Sequence, residues 1–262
     1  MERDELERQV RALDGDRGAL GLAGFRVVEV SGRDAAGWLQ DLVTADVEAL
    51  APGTAARSLL LGPTGRIRAD LHVLRLGEAF LLLQALDQPR SIEDLLAPYV
   101  LSSDVALREV SPPDLAAVPR SGSWRFTAAD APGLEPVGPE AVEAWRIRRG
   151  IARFPVDLDE DALPAEAGLD DEVTIDRTKG CFLGQEAVAK VRNLGHPTRL
   201  VLALSAERPV EAGLPVLAAD REAGVLTSVD VFGDATSALA RIDWGAREAD
   251  LVAADGTRLG RR

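Results

Sequence analysis

The sequence is poor in the residues from which many specialised sites are built. Its 262 residues include one cysteine and two histidines, and only 4% are aromatic. One cysteine excludes an internal disulfide, and it excludes a four-ligand zinc or iron–sulfur site supplied by this chain alone. The longest apolar runs, such as AFLLL and LVLAL, fall far short of the roughly 18 residues that a membrane span needs. The charged start MERDELERQV lacks the apolar segment of a secretory signal. We therefore expect a cytoplasmic protein that makes no membrane contact.

The balance of charge is strongly acidic, with a formal net charge of −13. Such a field repels nucleic acid and anionic lipid, so we expect neither as a partner. Only two of the 30 basic residues are lysines, and both, Lys179 and Lys190, lie near the single cysteine. An anionic ligand would need a local basic pocket.

The first half of the chain has the pattern of an α+β lobe. FRVVEV (25–30) predicts a strand, AAGWLQDLV a helix, and RSLLL, IRADLHVLRL and AFLLLQAL a three-stranded meander. Ser91 followed by Asp94 predicts the start of a second helix, and DVALREV predicts another strand. This order favours helices packed on an antiparallel sheet.

The second half contains a connector, a helix and a set of short strands. SPPDLAAVPRSG is typical of a connector, and a helix is predicted from Glu140 to Arg149, between Pro139 and Gly150. After Arg199 short strands follow at intervals of eight to twelve residues, which favours a small barrel. We therefore divide the chain into an N-terminal segment, a main region of two α+β lobes and a barrel domain, at 1–23, 24–197 and 198–262.

The segment TKGCFLGQE (178–186) raises the question of whether Cys181 has a chemical role. Free cysteine is usually buried and inert. His196 could act as a general base for Cys181, but no third side chain can be assigned to orient it. However, Cys181 follows Lys179 and precedes a predicted helix, GQEAVAKVR, a setting that lowers a thiol pKa. Between residues 173 and 201 there are five basic and two acidic residues, a local charge of +3. This stretch is the best candidate for a functional pocket.

Three other patterns have simpler interpretations. The alternating Asp157, Asp159 and Asp161 lack the glycine and glutamate that an EF-hand would place after them, so we interpret the run as a solvated acidic loop. GPTGRIRAD lacks the Gly-Lys-Ser/Thr of a phosphate-binding loop and is interpreted as a hairpin turn. Glu186 and Lys190 have the i, i+4 spacing of an exposed helix pair.

KGCFLGQE closely resembles the signature of the YgfZ family, folate-binding proteins related to the aminomethyltransferase (T-protein) of the glycine cleavage system. The resemblance extends from about residue 25 to 245. It includes, in the expected order, SGRDAAGWLQDLVTADV (31–47), GPTGRIRADL (62–71), RRGIARF…LPAEAGL (148–169), GVLTS and ALARI.

The resemblance implies an α+β, ring-like, three-lobed architecture with antiparallel sheets, a central folate channel and a C-terminal β-barrel. In T-proteins a PVEAGL-type segment supplies a glutamate that binds the pterin, and PAEAGL places Glu166 in that role. Carried over residue by residue, the resemblance implies that the candidate catalytic residues are Cys181, Lys179 and Asp70. It implies that the candidate folate-binding residues are Glu166, Asp70, Gln185, Glu186 and Arg199.

Two departures bear on activity. T-proteins have paired aspartates at the end of the glycine hairpin, whereas this chain has Ala69 and Asp70. Members of the YgfZ family usually have arginine where this chain has Lys190, which keeps the charge but loses the guanidinium fork. The first departure places aminomethyl transfer in doubt.

The first hypothesis is a tetrahydrofolate-binding protein that assists assembly or repair of iron–sulfur enzymes. Its expected partners are reduced folate and iron–sulfur client or assembly proteins. No intrinsic metal site is expected, but Cys181 can supply one ligand to a cluster shared with a partner or act as a redox thiol. The alternatives are a tetrahydrofolate-dependent aminomethyltransferase with a lipoyl-carrier substrate, and a folate-binding module without chemistry of its own.

Overall fold

The structure, a computed structural model, describes residues 2–120, 124–171 and 174–262. Its helices are α1 (Arg3–Asp14), α2 (Ala35–Gln40), α3 (Ile92–Leu96), α4 (Pro139–Arg148) and α5 (Gln185–Leu194). The strands before α4 are β1 (Gly18–Gly21), β2 (Phe25–Ser31), β3 (Ala55–Leu61), β4 (Ile67–Leu76), β5 (Ala79–Ala85), β6 (Ala106–Val110), β7 (Leu115–Pro119), β8 (Trp124–Ala128) and β9 (Glu135–Val137). The strands after α5 are β10 (Arg199–Ala206), β11 (Pro215–Ala218), β12 (Arg221–Phe232), β13 (Ala235–Asp243), β14 (Leu251–Ala253) and β15 (Arg258–Arg261).

The predicted meander and its flanking strands form a five-stranded antiparallel sheet in the order β3-β4-β5-β2-β6. One face packs against α2 and α3 through a core that includes Trp38, Leu39 and Ile92. The other face packs against β7 and β8 through Ala117 and Phe126. Burial on both faces explains why the strands are continuous apolar runs rather than alternating ones.

A second sheet of four strands has the order β8-β7-β1-β9, with β1 parallel to β9. The helices α1 and α4 pack together beside it around Val10, Leu13, Ala141 and Trp145. The N-terminal segment thus supplies a helix and a central strand. Strand β7 lies inside the stretch interpreted as a connector, so that interpretation is wrong for Leu115–Pro119. The helix predicted between Pro139 and Gly150 is confirmed.

The C-terminal strands close into a barrel in the order β10-β13-β12-β11-β14-β15. Its interior is filled by small and medium apolar side chains such as Leu204, Val216, Leu226 and Ala240. The antiparallel five-stranded sheet, the mixed four-stranded sheet, the packed helices and this closed barrel confirm the α+β fold class with a C-terminal β-barrel.

Candidate active site

A cavity of about 630 Å³ lies between the two sheets and α4. Much of its wall is apolar and aromatic, and its rings are Phe25, Trp124, Trp145 and Phe154. Its charged side chains are Arg57, Asp70, Asp87, Arg120, Glu143, Arg146 and Arg153. A largely apolar cavity of this size with a few polar groups is typical of a small-molecule site.

The polar floor of the cavity comes from alternate residues of β4. Ala69 and Leu71 point into the helix-covered core, so Asp70 and His72 face the opposite side, toward the cavity. Arg57 on β3 lies directly across from His72 and forms a two-point ion pair with Asp70. Its Nε–Oδ1 and Nη2–Oδ2 distances are 3.0 and 2.6 Å. Both side chains of the pair are about nine-tenths buried, so Asp70 is held in one orientation.

His72 is a residue of this floor that the sequence analysis missed. Its ring lies 4.9 Å from the ring of Trp124 and 5.7 Å from that of Phe126. Its buried Nε2 atom, like Nε1 of Trp145, has no hydrogen-bond partner among the described residues. Burial lowers the pKa of His72 to about 4, against the attraction of Asp70. The polar alternation Arg68, Asp70, His72 within an apolar strand is the signal that could have identified it.

The lowered pKa predicts how stability depends on pH. The unfolded chain takes up a proton near pH 6.5, whereas folded His72 does so only near pH 4. Stability is therefore full above pH 6.5 and falls with pH through this window, by about 2 kcal/mol between pH 7 and 5. Urea unfolding should show this loss in the wild type and in the control His196→Gln, which alters the exposed second histidine. An equal loss in His72→Leu would show that other groups cause it.

One side of the cavity is tied to the barrel through Arg146 and Asp157. Arg146 bonds Glu143, and its Nη1 lies 2.7 Å from the Asp157 carboxylate. Asp157 also accepts from the hydroxyls of Thr227 and Ser228 on β12, at 2.5 and 2.7 Å. Although desolvation opposes it, the hydrogen bonds and charges of Arg146 and Arg153 hold the pKa of Glu143 below its usual value. The interpretation as a solvated loop is wrong for Asp157, which is 1% exposed.

Cys181 lies in a loop held against the glycine hairpin that precedes β4. A Cβ on Gly184 would lie 2.6 Å from the carbonyl oxygen of Gly62, and one on Gly65 would lie 2.8 Å from Cβ of Ala187. Both glycines also have positive φ values, +84° and +74°. The two segments therefore fit together only because neither position carries a side chain. Phe182 is buried beneath the loop, and the Cys181 thiol is exposed.

Lys179 has its own partners. Its ammonium lies 2.5, 2.6 and 2.8 Å from the carbonyl oxygens of Gln40, Val43 and Ala45. Desolvation lowers its pKa to about 8, although nearby carboxylates, Asp46 foremost, oppose the shift. The sequence predicted that the Lys179 ammonium would lie beside the Cys181 thiol. In the structure it instead bonds three backbone carbonyls, and these bonds order the loop after α2.

Glu166 lies at the junction with the barrel. Its carboxylate accepts from the Leu163 backbone N–H at 3.1 Å and from Arg241 of β13 at 2.7 and 2.8 Å. It is 3% exposed and is not among the described residues that line the large cavity. The predicted contact between Glu166 and a pterin remains a prediction. What the geometry shows is an ion pair between Glu166 and Arg241, which joins the lobe to the barrel.

The other predicted folate contacts also lie away from the cavity. Gln185 donates to the Gly180 carbonyl at 3.1 Å, and Glu186 is exposed on α5. Arg199 borders a smaller cavity of about 370 Å³ at the barrel, with Asp159, Glu222, Arg241 and Asp243. Of the predicted site residues, Asp70 alone lines the large cavity within the described part of the chain.

Neither a metal-ligand cluster nor a membrane-spanning helix is found among the described residues. Within residues 2–120, 124–171 and 174–262, no three histidine, cysteine, aspartate or glutamate side chains gather as metal ligands. No described helix is long and apolar enough to cross a membrane.

Comparisons with known proteins relate the chain to one family. The family model described as the GCVT N-terminal domain matches residues 2–115. An aminomethyltransferase of Synechococcus elongatus is 30% identical, and the match covers 72% of this chain and 67% of that protein. An iron–sulfur cluster assembly factor, the mitochondrial IBA57 homolog of Pyricularia oryzae, is 28% identical over 71% of this chain and 56% of its own length.

The fold has a counterpart among solved structures. The glycine cleavage system aminomethyltransferase T from Bartonella henselae superposes with a TM-score of 0.79, covering 97% of this chain and 88% of that one. The two sequences are 18% identical, so this likeness concerns the fold. Taken with the aminomethyltransferase match and the family model, it leads to one conclusion: the chain belongs to the GCVT-related family of aminomethyltransferase-like proteins.

Proposed function

We propose that this protein binds reduced folate in the large cavity and assists assembly or repair of iron–sulfur enzymes, as YgfZ-type proteins do. The observation that carries the proposal is the cavity itself, which combines aromatic walls with buried polar groups. Two of the four buried side-chain atoms without a partner among the described residues, Nε2 of His72 and Nε1 of Trp145, belong to residues of its wall. Buried polar atoms without partners are costly, which is consistent with a site completed by a ligand.

The residues of the cavity suit a pterin. Its 2-amino-4-oxo ring is flat and presents two adjacent N–H donors, which one ionised carboxylate can accept together. The three carboxylates in the wall, Asp70, Asp87 and Glu143, each pair with an arginine, and the pair of Asp70 is the most buried. We assign this contact first to Asp70, because β4 fixes it deep in the cavity beside the apolar surface.

Aminomethyl transfer is the second candidate, favoured by the 30% identity to a named aminomethyltransferase. Ala69 argues against it, because this position lies in the core and adds no second carboxylate to the site. A mixture of aminomethylated lipoyl protein and tetrahydrofolate decides between the candidates. Methylene-tetrahydrofolate formation at a useful rate would support transfer and remove the first proposal.

Cys181 acts, in this proposal, at the surface. Its thiol is exposed, and its loop is outside the described wall of the cavity. It is therefore accessible to a macromolecule, as a ligand to a cluster shared with a client protein or as a redox thiol. Lys179 contributes by fastening the cysteine loop to the backbone carbonyls that follow α2. The reduced cytoplasm would keep such an unpaired thiol available.

Titration with tetrahydrofolate under anaerobic conditions tests folate binding. Trp124 and Trp145 line the cavity, whereas Trp38 and Trp244 lie elsewhere, so binding should quench tryptophan fluorescence. We expect much of the quench to disappear in Trp124→Phe and to persist in the matched control Trp244→Phe. Calorimetry provides the affinity independently. Absence of binding to the wild type, or equal quenching in both variants, would contradict the proposed site.

A further inference from the structure

The cavity differs in charge from the rest of the molecule. Its wall has four arginines against two aspartates and one glutamate, a local balance of +1 in a chain of −13. The neutral His72 does not change this balance. An anionic group of a ligand is therefore attracted to this cavity more than to the average surface.

The arginines of the wall differ in how free they are to meet a ligand. Arg57 is committed to Asp70 in a buried two-point pair. Arg146 is 4% exposed and bonds Glu143, Asp157 and Ser228 together. Buried, fully paired guanidinium groups of this kind exchange partners only at a large cost.

Arg153 is in a different situation. Its Nη1 lies 2.6 Å from Oδ2 of Asp87, and the two side chains are 31% and 47% exposed. Its Nε lies 3.3 Å from Glu143, and its backbone N–H donates to the buried Asp157 at 3.0 Å. The backbone is thus anchored while the guanidinium remains within reach of solvent. Exposed ion pairs contribute only about 0–1 kcal/mol, so the partner of this guanidinium is replaceable.

We infer that Arg153 binds the carboxylate-bearing end of the ligand, and that Asp87 occupies Arg153 until that carboxylate takes its place. The inference rests on the proposed function, and it names the residue that recognises the glutamyl tail of a folate. Asp87 bonds Arg153 at one nitrogen, Nη1, whereas an incoming carboxylate can use the planar, two-point geometry that guanidinium offers. Arg199, the arginine of the predicted folate-binding set, borders the smaller cavity at the barrel instead.

Arg120 is the competing candidate and is less suitable. It lies 3.5 Å from Asp16, and the two side chains are 44% and 55% exposed. No bond comparable to that between the Arg153 backbone and Asp157 is found for it among the described residues. A more exposed, well-hydrated arginine loses more side-chain freedom and more hydration on binding, so it contributes less to affinity.

Calorimetric titrations of two variants test the inference, because they should act in opposite directions. Arg153→Gln should weaken tetrahydrofolate binding about 10- to 100-fold, the loss expected for a charged hydrogen bond. Asp87→Asn should strengthen it about two- to five-fold, since an exposed ion pair no longer competes. A tetrahydropterin without the aminobenzoyl-glutamate tail should bind both variants and the wild type equally.

The surface pair Arg149–Asp14 provides matched controls, with a distance of 2.8 Å and exposures of 42% and 50%. Arg149→Gln and Asp14→Asn should leave every affinity within two-fold. Equal weakening of both ligands by Arg153→Gln, or weaker tetrahydrofolate binding in Asp87→Asn, overturns the inference while leaving the pterin site intact. Failure of the wild type to bind either ligand overturns the proposed function, and the inference with it.

Discussion

Replacing Asp70 by alanine is expected to lower the free energy of unfolding by about 3–5 kcal/mol and to weaken tetrahydrofolate binding about 10- to 100-fold. The stability loss follows because Arg57 would keep a buried charge without a partner in the cavity floor. The binding loss follows because the pterin donors would lose their acceptor. Urea unfolding and calorimetric titration measure the two effects separately.

The double variant Arg57→Met/Asp70→Leu is the matched control for this result. It removes both charges, so most of the lost stability should return, whereas folate affinity should not. A double variant that recovers both properties would mean that Asp70 acts through the fold alone. Unchanged affinity in a folded Asp70→Ala protein would place the pterin elsewhere.

Under the proposed function, Cys181→Ser is expected to abolish the recovery of iron–sulfur enzyme activity that the wild type gives in cells lacking the native protein. Stability should change by less than about 0.5 kcal/mol, because the thiol is exposed. Tetrahydrofolate affinity should stay within two-fold, because the described wall of the cavity does not include the cysteine loop. Enzyme assays in complemented cells, with equal protein levels, measure the effect.

A thiol reagent offers a second test of the same residue. An exposed cysteine should react in the folded protein, and unfolding should accelerate the reaction little. Reaction only after unfolding would contradict the structure, and full rescue by the serine variant would remove the functional role of Cys181.

Periodicity was sufficient to predict much of the fold. The leucine-rich runs of β3, β4 and β5 and the succession of strands from Arg199 onward form the predicted meander and barrel. The prediction missed α1 and the strands β1, β7 and β9. Helix α1 is highly charged, and it is covered by α4, more than 120 positions later in the chain. Strand β7 lies between prolines that are also typical of a connector.

The site was harder to predict, because its contacts join distant positions. Strand alternation and motif resemblance predicted Asp70 as a site residue. The same alternation could have predicted His72. Lys179, by contrast, is adjacent to the cysteine loop in sequence but bonds carbonyls 134 to 139 positions away. Glu166 meets Arg241 across 75 positions. A single sequence contains no signal for such pairs.

The fit of the glycine hairpin against the cysteine loop has an evolutionary consequence. Gly62 and Gly65 precede β4, and their partners Gly184 and Ala187 flank the start of α5. A mutation that adds bulk to either segment displaces the other, so each can diverge only with a compensating change about 120 positions away. Selection on the position of the thiol therefore also constrains a hairpin that carries no reactive group. The two motifs should be inherited and lost as a pair.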